Sequence, residues 1–295
     1  MQMSTVHFRK VAVLSGLLSA LAAGALQAQA LEPFKDDLFS RPIVLESRDG
    51  GDFEVIDYQE LRDINGRDQS PERRVKSKYV DLAAKRQQAN ETLQLPSGKL
   101  EVARVGKADG AAFTVIFIHG RGGDRRLGIN DFSFGGNFNR LKNLAVKNGG
   151  VYYAPSVPSF DEAGVAAVSG LIAHAAARSP GRSVVLACAS MGSFICWGAA
   201  RDAATVGHLA GLAILGGTTD PSFVGSAAHK AKLPIFFTHG SRDSVYAPAD
   251  QIALYDRLHK AGYPARFTLF ETGSHGTPVR MSDWRLILNW LLAAR

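Results

Sequence analysis

The sequence predicts an α/β protein, with a mostly parallel central sheet and helices on both of its faces. Two observations lead to this prediction. From about residue 92 onward, short apolar runs alternate with longer stretches of helical character, and this order of elements is typical of a parallel sheet covered on both sides. The run at 113–118 is also apolar at nearly every position, which indicates a strand buried on both faces.

A hairpin and a series of buried strands are the predicted components of the sheet. Thr92–Leu95 and Leu100–Val105 flank Pro96-Ser97-Gly98, whose proline and glycine indicate a turn. The apolar runs that predict buried strands are Phe113–Ile118, Val151–Ala154, Ser183–Ala187, Leu209–Leu215, Pro234–Thr238 and Phe267–Phe270.

Helices are predicted between these strands. Asp161 and Ser282 stand where helix N-caps are needed, because their side chains can accept hydrogen bonds from the free N–H groups of a first turn. The helical stretches are Phe138–Lys147, Glu162–Arg178, Met191–Ala204, Pro248–Ala261 and Ser282–Ala294.

The alternating pattern is missing from residues 31 to about 90. These residues are polar and charged, and they could form a pro-segment, an extra layer on the α/β body or an arm over the functional site. We therefore divide the chain into an N-terminal stretch 1–30, an N-terminal extension 31–90 without an assigned role, and an α/β domain 91–295. The stretch 67–86 is basic, but no nucleic-acid-binding motif accompanies it, so we expect a solvated surface and no nucleic-acid partner.

Residues 1–30 have the regions of a secretory signal peptide. A short basic region around Arg9-Lys10 precedes an uncharged stretch at 11–26, and Ala28-Gln29-Ala30 has the small-x-small pattern of a cleavage site. We expect cleavage after Ala30, export to the periplasm or the medium, and no stable membrane insertion afterwards. An uncleaved N-terminal anchor is the alternative.

Composition excludes several classes of protein. With 46% hydrophobic and 21% charged residues and a net charge of +7 over 295 residues, the chain is neither disordered nor collagen-like, and two cysteines cannot make a disulfide-stapled fold. Cys188 is expected to end a strand, and Cys196 is expected two turns into the next helix. Because a disulfide spans at most roughly 7 Å between Cα atoms, we expect both to be small buried apolar side chains.

The sequence around Ser190 has the form of a strand followed by a sharp turn and a helix. Cys188–Gly192 reads Cys-Ala-Ser-Met-Gly and follows a predicted buried strand. A serine at such a turn is lifted above the sheet edge, and the next backbone N–H points at the same space. Ala189 and Gly192 are small enough for close packing, whereas Cys188 stands where the usual pattern has glycine. A simple helix N-cap is the alternative role for this serine.

Glycines dominate the loop after the strand 113–118. His119–Gly123 reads His-Gly-Arg-Gly-Gly, so the backbone can turn sharply and aim its N–H groups inward, where acyl transfer needs donors for a developing oxyanion. A phosphate-binding P-loop would end in Gly-Lys-Ser/Thr, and a dinucleotide fingerprint would have glycine in place of Arg125. Neither pattern is present, and we expect no cofactor.

An aspartate and a histidine follow two further predicted strands. Asp243 lies in the loop after 234–238, and His275 lies in the loop after 267–270. Loops at the carboxyl ends of parallel strands meet at one edge of the sheet, so the acid of the first loop can orient the histidine of the second. A surface aspartate and an inert loop histidine are the alternatives.

The other histidines indicate no metal site. His119 and His239 belong to His-Gly turns and are expected to be structural. The remaining ones fall on predicted helices or their ends, without metal-ligand spacing, and they are His174, His208, His229 and His259.

The order of glycine loop, serine turn, acid and histidine, each after its own buried strand, resembles the α/β-hydrolase superfamily. The resemblance covers residues from about 92 to 295 and points in particular to compact carboxylesterase, acyl-thioesterase and dienelactone-hydrolase-like members. It implies the α/β-hydrolase fold. Many hydrolases insert a lid at the place where only Gly216–Leu233 separates two core strands here, so no large lid domain is expected.

The resemblance also implies roles for individual residues. Ser190 would be the nucleophile, His275 the general base and later the general acid, and Asp243 the group that orients the imidazole. Glu271 is the reserve acid. The backbone N–H groups that would form the oxyanion hole are those of Met191, Arg121 and, alternatively, Gly122.

The implied function is that of an exported serine hydrolase that cleaves a carboxylic ester or thioester, of a small molecule or a polymer, through an acyl-enzyme. Alternatives on the same three side chains are an amidase or peptidase and an esterase of polyesters or cell-wall acyl groups. A catalytically inactive hydrolase-fold binding protein is an alternative of another class, suggested only by Cys188. Phe132 and Phe134, in the loop 121–137, are expected to contact an acyl or aryl group, with a place in the core as the alternative.

Overall fold

The computed structural model of the protein describes residues 30–38 and 43–293, so the predicted signal peptide lies outside the described residues except for Ala30. The strands of the described residues are β1 (Val44–Arg48), β2 (Phe53–Asp57), β3 (Asp68–Gln69), β4 (Arg74–Val75), β5 (Gln88–Leu95), β6 (Gly98–Val105), β7 (Thr114–Ile118), β8 (Val151–Pro155), β9 (Val184–Ala189), β10 (Leu209–Leu215), β11 (Ile235–Gly240) and β12 (Ala265–Glu271). The helices of the same residues are α1 (Arg125–Gly128), α2 (Asn137–Lys147), α3 (Glu162–Arg178), α4 (Ser193–Ala199), α5 (Ala203–His208), α6 (Ala227–Lys230), α7 (Pro248–Lys260), α8 (Thr277–Met281) and α9 (Trp284–Ala293).

Most of the strands belong to one ten-stranded sheet, in the order β1-β2-β12-β11-β10-β9-β7-β8-β6-β5. From β2 to β8 in that order, neighbouring strands run parallel. The pairs β1–β2, β6–β8 and β5–β6 are antiparallel, and β5–β6 is the predicted hairpin. The mostly parallel sheet is therefore confirmed.

Helices cover both faces of the sheet, as predicted. One apolar cluster includes residues of α3, α4, α5 and α7, and the other includes residues of α2 and α9. Strand β7 supplies both clusters, because Ile116 and Ile118 point into the first while Val115 and Phe117 point into the second. Between β10 and β11 the chain forms only the short helix α6 among the described residues, so no large lid is present there. None of the described helices is long and apolar enough to span a membrane.

The predicted helix Met191–Ala204 is broken in the structure. Asp202 has an extended backbone (φ −92°, ψ 118°), and its carboxylate accepts the N–H of Thr205 at 2.8 Å. Asp202 therefore lies between α4 and α5 and caps the second helix. The prediction of one helix was wrong because an aspartate that caps a new helix interrupts a stretch of good helix formers.

The predicted N-cap of the last helix was also wrong. The hydroxyl of Ser282 donates to the carbonyl of Pro278 at 2.6 Å, in the preceding turn. Asp283 is the cap instead, since its Oδ1 accepts two N–H groups at the start of α9, each at 3.1 Å. Asp161 caps α3 as predicted.

The two cysteines form a disulfide, which corrects the expectation of two separate apolar side chains. The Cα atoms of Cys188 and Cys196 are 6.2 Å apart, within the range that a disulfide spans. Cys196 was expected two turns into a helix, but a tight turn at 190–192 precedes α4, which begins only at Ser193. Cys196 therefore lies in the first turn of α4, which runs back beneath the end of β9.

The predicted extension 31–90 contributes to the main sheet. Strand β2 pairs in parallel with β12, and β1 pairs antiparallel with β2 at the outer edge. At the opposite edge, β5 begins at Gln88, so the sheet crosses the predicted boundary at residue 91. These strands were not predicted because they are short, and β1 is largely exposed.

Residues 58–87, called segment 58–87 below, form a further layer over α8, α2 and the loop before α2. Arg280 of α8 makes two bonds to the carboxylate of Asp68, at 2.6 and 3.2 Å, and both side chains are buried. The N–H of Val75 donates to the carbonyl of Phe132 at 3.0 Å. The carbonyl of Asp81 accepts two side-chain amides of α2, at 2.8 and 2.9 Å. Of the three arrangements considered, an extra layer on the α/β body describes these contacts.

Candidate active site

Ser190 lies at a sharp turn between β9 and α4. Its φ is +54°, a left-handed conformation that is unfavourable for a residue with a side chain. A single tight turn, Ser190–Gly192, separates the strand from the helix. The turn leaves Ser190 at the carboxyl edge of the sheet, half-buried, as the sequence around it predicts.

His275 lies between Ser190 and Asp243. Its Nδ1 is 2.7 Å from Asp243 Oδ2, and its Nε2 is 2.8 Å from Ser190 Oγ. Because the carboxylate only accepts, Nδ1 carries the hydrogen and the lone pair of Nε2 accepts the serine hydroxyl. The imidazole side chain is 27% exposed. This arrangement can remove a proton from the hydroxyl and later return it.

The Asp243 side chain is buried, and both of its carboxylate oxygens accept hydrogen bonds. The side chain has 0% exposure. Oδ1 accepts the N–H groups of Val245 at 2.8 Å and Tyr246 at 3.1 Å, while Oδ2 accepts from His275. These donors compensate for the burial of the charge. Asp243, and not the reserve acid Glu271, is the carboxylate at Nδ1 of the imidazole.

Gly240 permits the close approach of the loop that carries His275. A Cβ atom at Gly240 would lie 2.3 Å from the carbonyl oxygen of Gly273 and 2.6 Å from that of Ser274. Any side chain there would push the β12–α8 loop away from the end of β11. Glycine at this position therefore lets His275 come within hydrogen-bonding distance of Asp243.

The glycine loop after β7 packs directly on the serine turn. A Cβ atom at Gly120 would lie 2.9 Å from the Cβ of Ser190 and 3.3 Å from its Oγ. Among the described residues, the N–H groups of Arg121 and Gly122 are recorded in no hydrogen bond with another protein group. Met191 follows Ser190 directly and is half-buried. The glycine loop therefore contacts the serine turn at Gly120, and Arg121 and Gly122, the next two residues, have N–H groups without a protein acceptor among the described residues.

Phe132 and Phe134, which were predicted to contact the substrate, have different neighbours from each other. The ring of Phe134 is 5.9 Å from that of Phe138, and a Cβ at Gly276 would lie 3.5 Å from an edge atom of Phe134. Phe134 therefore lies beside the loop of His275. Phe132 lies 4.7 Å beneath the guanidinium of Arg74 and faces segment 58–87 instead.

An apolar pocket of about 590 Å³ lies between the starts of α3 and α4 and the loop after β10. Phe194, 42% exposed, and the buried Trp197 form one wall, and Phe160 and Val165 form another. The Phe160 ring also packs edge-on against His119, with 5.8 Å between ring centres. The pocket is thus adjacent to the glycine loop, and no feature of the sequence had indicated it.

His239 contacts Asp243, which the sequence did not indicate. Its Nε2 is 3.2 Å from Asp243 Oδ2 and 3.0 Å from the carbonyl of Tyr246, and its Nδ1 is 2.8 Å from Gln251 Oε1. The Tyr246 ring packs 5.8 Å from that of His275, and burial together with the nearby Asp243 charge raises the pKa of the Tyr246 hydroxyl. The sequence did not indicate a role for Gln251, because its contact with His239 depends on its place on the buried side of α7.

Within residues 30–38 and 43–293, no group of three or more histidine, cysteine or acidic side chains is arranged to hold a metal ion.

Comparison with known proteins identifies the fold. No family model matches the sequence, and no curated protein matches it. Among solved structures, the chain is similar to a thermostable esterase, with a TM-score of 0.56 and 19% identity, covering 70% of this chain and 62% of that one. This chain therefore aligns with less than two thirds of that esterase.

Two other solved structures are similar over a comparable part of the chain. A protein of unknown function from Agrobacterium tumefaciens, provisionally assigned to the α/β hydrolases, has a TM-score of 0.53 and 15% identity, covering 68% of this chain and 93% of that one. A feruloyl esterase module from Clostridium thermocellum, solved with sinapinate, has a TM-score of 0.52 and 13% identity, covering 70% and 87%. These likenesses show the fold.

Proposed function

We propose that this chain, which has the α/β-hydrolase fold, is a serine hydrolase that cleaves carboxylic esters through an acyl-enzyme. The observation that carries the proposal is the continuous contact from Asp243 through His275 to Ser190, with 2.7 and 2.8 Å between the bonded atoms. A nucleophile, its base and the group that orients the base are all within hydrogen-bonding distance, as this chemistry requires.

In the first half-reaction, Ser190 Oγ attacks the ester carbonyl while His275 Nε2 takes the hydroxyl proton. Nδ1 keeps its hydrogen, which stays hydrogen-bonded to Asp243, and the negative charge of this carboxylate stabilises the imidazolium. The carbonyl oxygen becomes an oxyanion that the N–H groups of Met191 and Arg121, or Gly122, would bind. The tetrahedral intermediate then loses the alcohol, which takes the proton from Nε2, and the acyl group stays on Ser190.

In the second half-reaction, water replaces the alcohol. His275 takes a proton from water, the hydroxide attacks the acyl carbonyl, and the same donors hold the second oxyanion. Collapse releases the carboxylic acid and returns the proton to Ser190 Oγ. The half-buried serine and the partly exposed imidazole support this step, because both side chains are in contact with solvent.

The neighbours of the site suggest the kind of substrate. Phe134 beside the histidine loop and the apolar pocket of Phe160, Phe194 and Trp197 beside the glycine loop offer apolar surface to an acyl or aryl group. The arginines nearby already have carboxylate partners, because Arg201 in the pocket lining pairs with Asp220, Arg125 with Glu101 and Arg126 with Asp124. We therefore favour an uncharged ester with an apolar acyl or aryl part.

Export is also part of the proposal. The disulfide between Cys188 and Cys196 is a bond that persists in the periplasm or outside the cell and is rare in the cytosol. It supports the N-terminal signal peptide proposed from the sequence.

Hydrolysis of a graded series tests this function. The protein without residues 1–30 is assayed on p-nitrophenyl esters of increasing acyl length, on a matched thioester and on a matched aryl amide. We expect ester hydrolysis with saturation kinetics, thioester hydrolysis at a comparable or lower rate, and little amide hydrolysis. No hydrolysis of any substrate, while a control esterase is active, would favour the binding-protein alternative. Faster hydrolysis of the amide than of the ester would favour an amidase.

A further inference from the structure

His239 has hydrogen-bond acceptors at both ring nitrogens. Nδ1 faces Gln251 Oε1 at 2.8 Å. Nε2 faces the carbonyl of Tyr246 at 3.0 Å and the Asp243 carboxylate at 3.2 Å. The imidazole is fully buried, so water cannot replace any of these partners.

The orientation of the Gln251 amide is fixed by a second contact. Its Nε2 donates to the carbonyl of Gly217 at 2.9 Å. If the amide were turned around, its oxygen would face that carbonyl, and two acceptors would lie in contact. Gln251 therefore presents its oxygen to His239, and Nδ1 must donate.

Either neutral form of His239 leaves two acceptors in contact. With hydrogen only on Nδ1, the lone pair of Nε2 faces the carbonyl of Tyr246 and the charged carboxylate of Asp243. With hydrogen only on Nε2, the lone pair of Nδ1 faces the oxygen of Gln251. Only the imidazolium has a donor at each nitrogen, one for Gln251 and one for the Tyr246 carbonyl, and its charge is opposite to that of the Asp243 carboxylate 3.2 Å away.

His119 provides an internal comparison, because it occupies the equivalent His-Gly turn after β7. Its Nδ1 lies 2.8 Å from the carbonyl of Gly120, an acceptor, whereas its Nε2 accepts the N–H of Val157 at 3.0 Å. One donor and one acceptor suit a neutral imidazole. The two buried histidines thus have opposite requirements although the sequence around each is His-Gly.

We propose that His239 is a positioning residue held as a buried imidazolium, which fixes the catalytic carboxylate and offsets part of its charge. This inference rests on the proposed function, in which Asp243 serves His275. Oδ2 of Asp243 would then lie between two imidazoles, His275 at 2.7 Å and His239 at 3.2 Å. Burial of both charges is compensated because each is paired and hydrogen-bonded.

The charge of His239 affects the pH at which His275 can act as a base. A positive charge near the imidazole disfavours a second one, so loss of the His239 charge is expected to change the pH dependence of the reaction. The titratable groups that the structure records around this cluster are Asp243, His275 and Tyr246. Strand β12 contributes the apolar Leu269 opposite His239.

The protonation state is measured directly by long-range ¹⁵N–¹H correlation spectra of the histidine rings in the wild-type protein at pH 7.5, without substrate. We expect the two nitrogens of His239 to give similar shifts, typical of an imidazolium, and those of His119 to differ widely. The His239 signals are those lost in His239→Gln or, if that variant does not fold, those with ring contacts to neighbouring residues. Widely separated shifts for His239 would overturn the proposal.

The pH dependence of kcat/KM tests the consequence for catalysis. In His239→Gln the acid limb of the kcat/KM profile should move to higher pH, because a positive charge that shares the Asp243 carboxylate with His275 is removed. Gln251→Leu, which removes the acceptor at Nδ1 but keeps the imidazole, should move the limb in the same direction. If the role of His239 were purely structural, the variant would have a lower kcat or stability but the same acid limb of the kcat/KM profile. An unchanged acid limb in a folded His239→Gln would contradict the proposal.

The two measurements separate failure of this inference from failure of the proposed function. If no ester is hydrolysed, the proposed function fails, and the ring shifts still decide the charge of His239. If esters are hydrolysed and the nitrogens of His239 differ, only the inference about His239 fails.

Discussion

The carboxyl edge of the parallel strands and segment 58–87 lie side by side but are held by different forces. Ser190, Asp243 and His275 are carried by loops that leave β9, β11 and β12. Every residue of β9 and β11 is buried, and β12 buries Ala265, Phe267 and Phe270. Segment 58–87 has few buried apolar side chains, and a buried ion pair between Asp68 and Arg280 attaches it to α8. Helix α8 begins two residues after His275, so the polar layer supports the element that follows this imidazole.

The difference shows which parts of a fold an amino-acid sequence reveals. Apolar runs repeat along the chain and mark buried strands wherever they occur. The partner of Asp68 is 212 positions away, and no local pattern connects the two. A change at the carboxyl edge should therefore abolish chemistry and leave the fold, whereas a change in the polar layer should weaken the fold.

Ser190→Ala is the variant with the largest expected effect. Removal of the nucleophile should lower kcat by about 10⁵-fold or more, as in other triads. The melting temperature should stay close to the wild-type value, because the hydroxyl contributes little to packing and alanine removes only one polar contact. Steady-state kinetics and thermal unfolding of the same preparation measure both quantities. Near-normal turnover in a folded variant would indicate another nucleophile.

Asp68→Ala should have the largest effect on stability. It leaves the Arg280 guanidinium buried without its carboxylate, and the loss of one partner of a buried pair lowers the free energy of unfolding by about 3–5 kcal/mol. Urea unfolding measures the change. Asp109→Ala is the matched control, since it removes the partner of the exposed Arg178 and should change the free energy of unfolding by less than about 1 kcal/mol. Equal effects of the two variants would show that segment 58–87 is not held by its ion pair.

Reduction of the disulfide should lower the free energy of unfolding by less than the loss of the buried ion pair does. The bond between Cys188 and Cys196 closes a short loop, with a separation of 8 residues, so its loss should lower the free energy of unfolding by about 2–3 kcal/mol. Thermal unfolding with and without dithiothreitol measures the shift. The variant Cys188→Ala/Cys196→Ala should not respond to the reductant. An unchanged wild-type melting curve, after thiol titration has shown complete reduction, would contradict the expectation.

Alkaline pH should weaken the sheet through buried tyrosines. Burial raises the pKa of Tyr153 on β8 from 10.0 to about 12, so above pH 10 the unfolded chain loses the phenolic proton before the folded protein does. The contribution of the Tyr153 phenol to the free energy of unfolding is thus fully present below pH 10 and is lost between pH 10 and 12. The loss is about 1.4 kcal/mol at pH 11.

Tyr153→Phe isolates that contribution. Among the described residues the Tyr153 hydroxyl has no hydrogen-bond partner, so its removal breaks no hydrogen bond. The variant should be at least as stable as the wild type at pH 8, and its advantage should be larger at pH 11. Identical losses of stability in the two proteins on going from pH 8 to pH 11 would show that this phenol does not ionise on unfolding.

The sequence was sufficient to predict the framework of the sheet and three of its loops. The strand at Leu209–Leu215 was predicted with the bounds that the structure gives, because an uninterrupted apolar run has few other interpretations. Ser190, Asp243 and His275 were predicted to lie together, and the structure brings them together, because loops after parallel strands share one edge.

Other features depended on contacts that the chain order does not show. The disulfide was missed because the position of Cys196 depends on where α4 begins, and a shift of about one turn decides whether Cys188 is within reach. Strand β2 was missed because its pairing with β12 joins residues far apart in the chain. The contact of His239 with Asp243 was missed because the dipeptide His-Gly does not indicate which groups the imidazole will contact. His119, in the same kind of turn, has only main-chain partners.

The most direct test of the proposed chemistry is the identity of the residue that reacts with a fluorophosphonate. In this reaction Ser190 Oγ would attack phosphorus and displace fluoride, with His275 taking the proton. Mass spectrometry of a tryptic digest should find a single adduct, on Ser190 in the peptide 183–201, and Ser190→Ala should take no label. Absence of labelling under conditions that modify a control esterase, or an adduct on another residue, would contradict the assignment of Ser190 as the nucleophile.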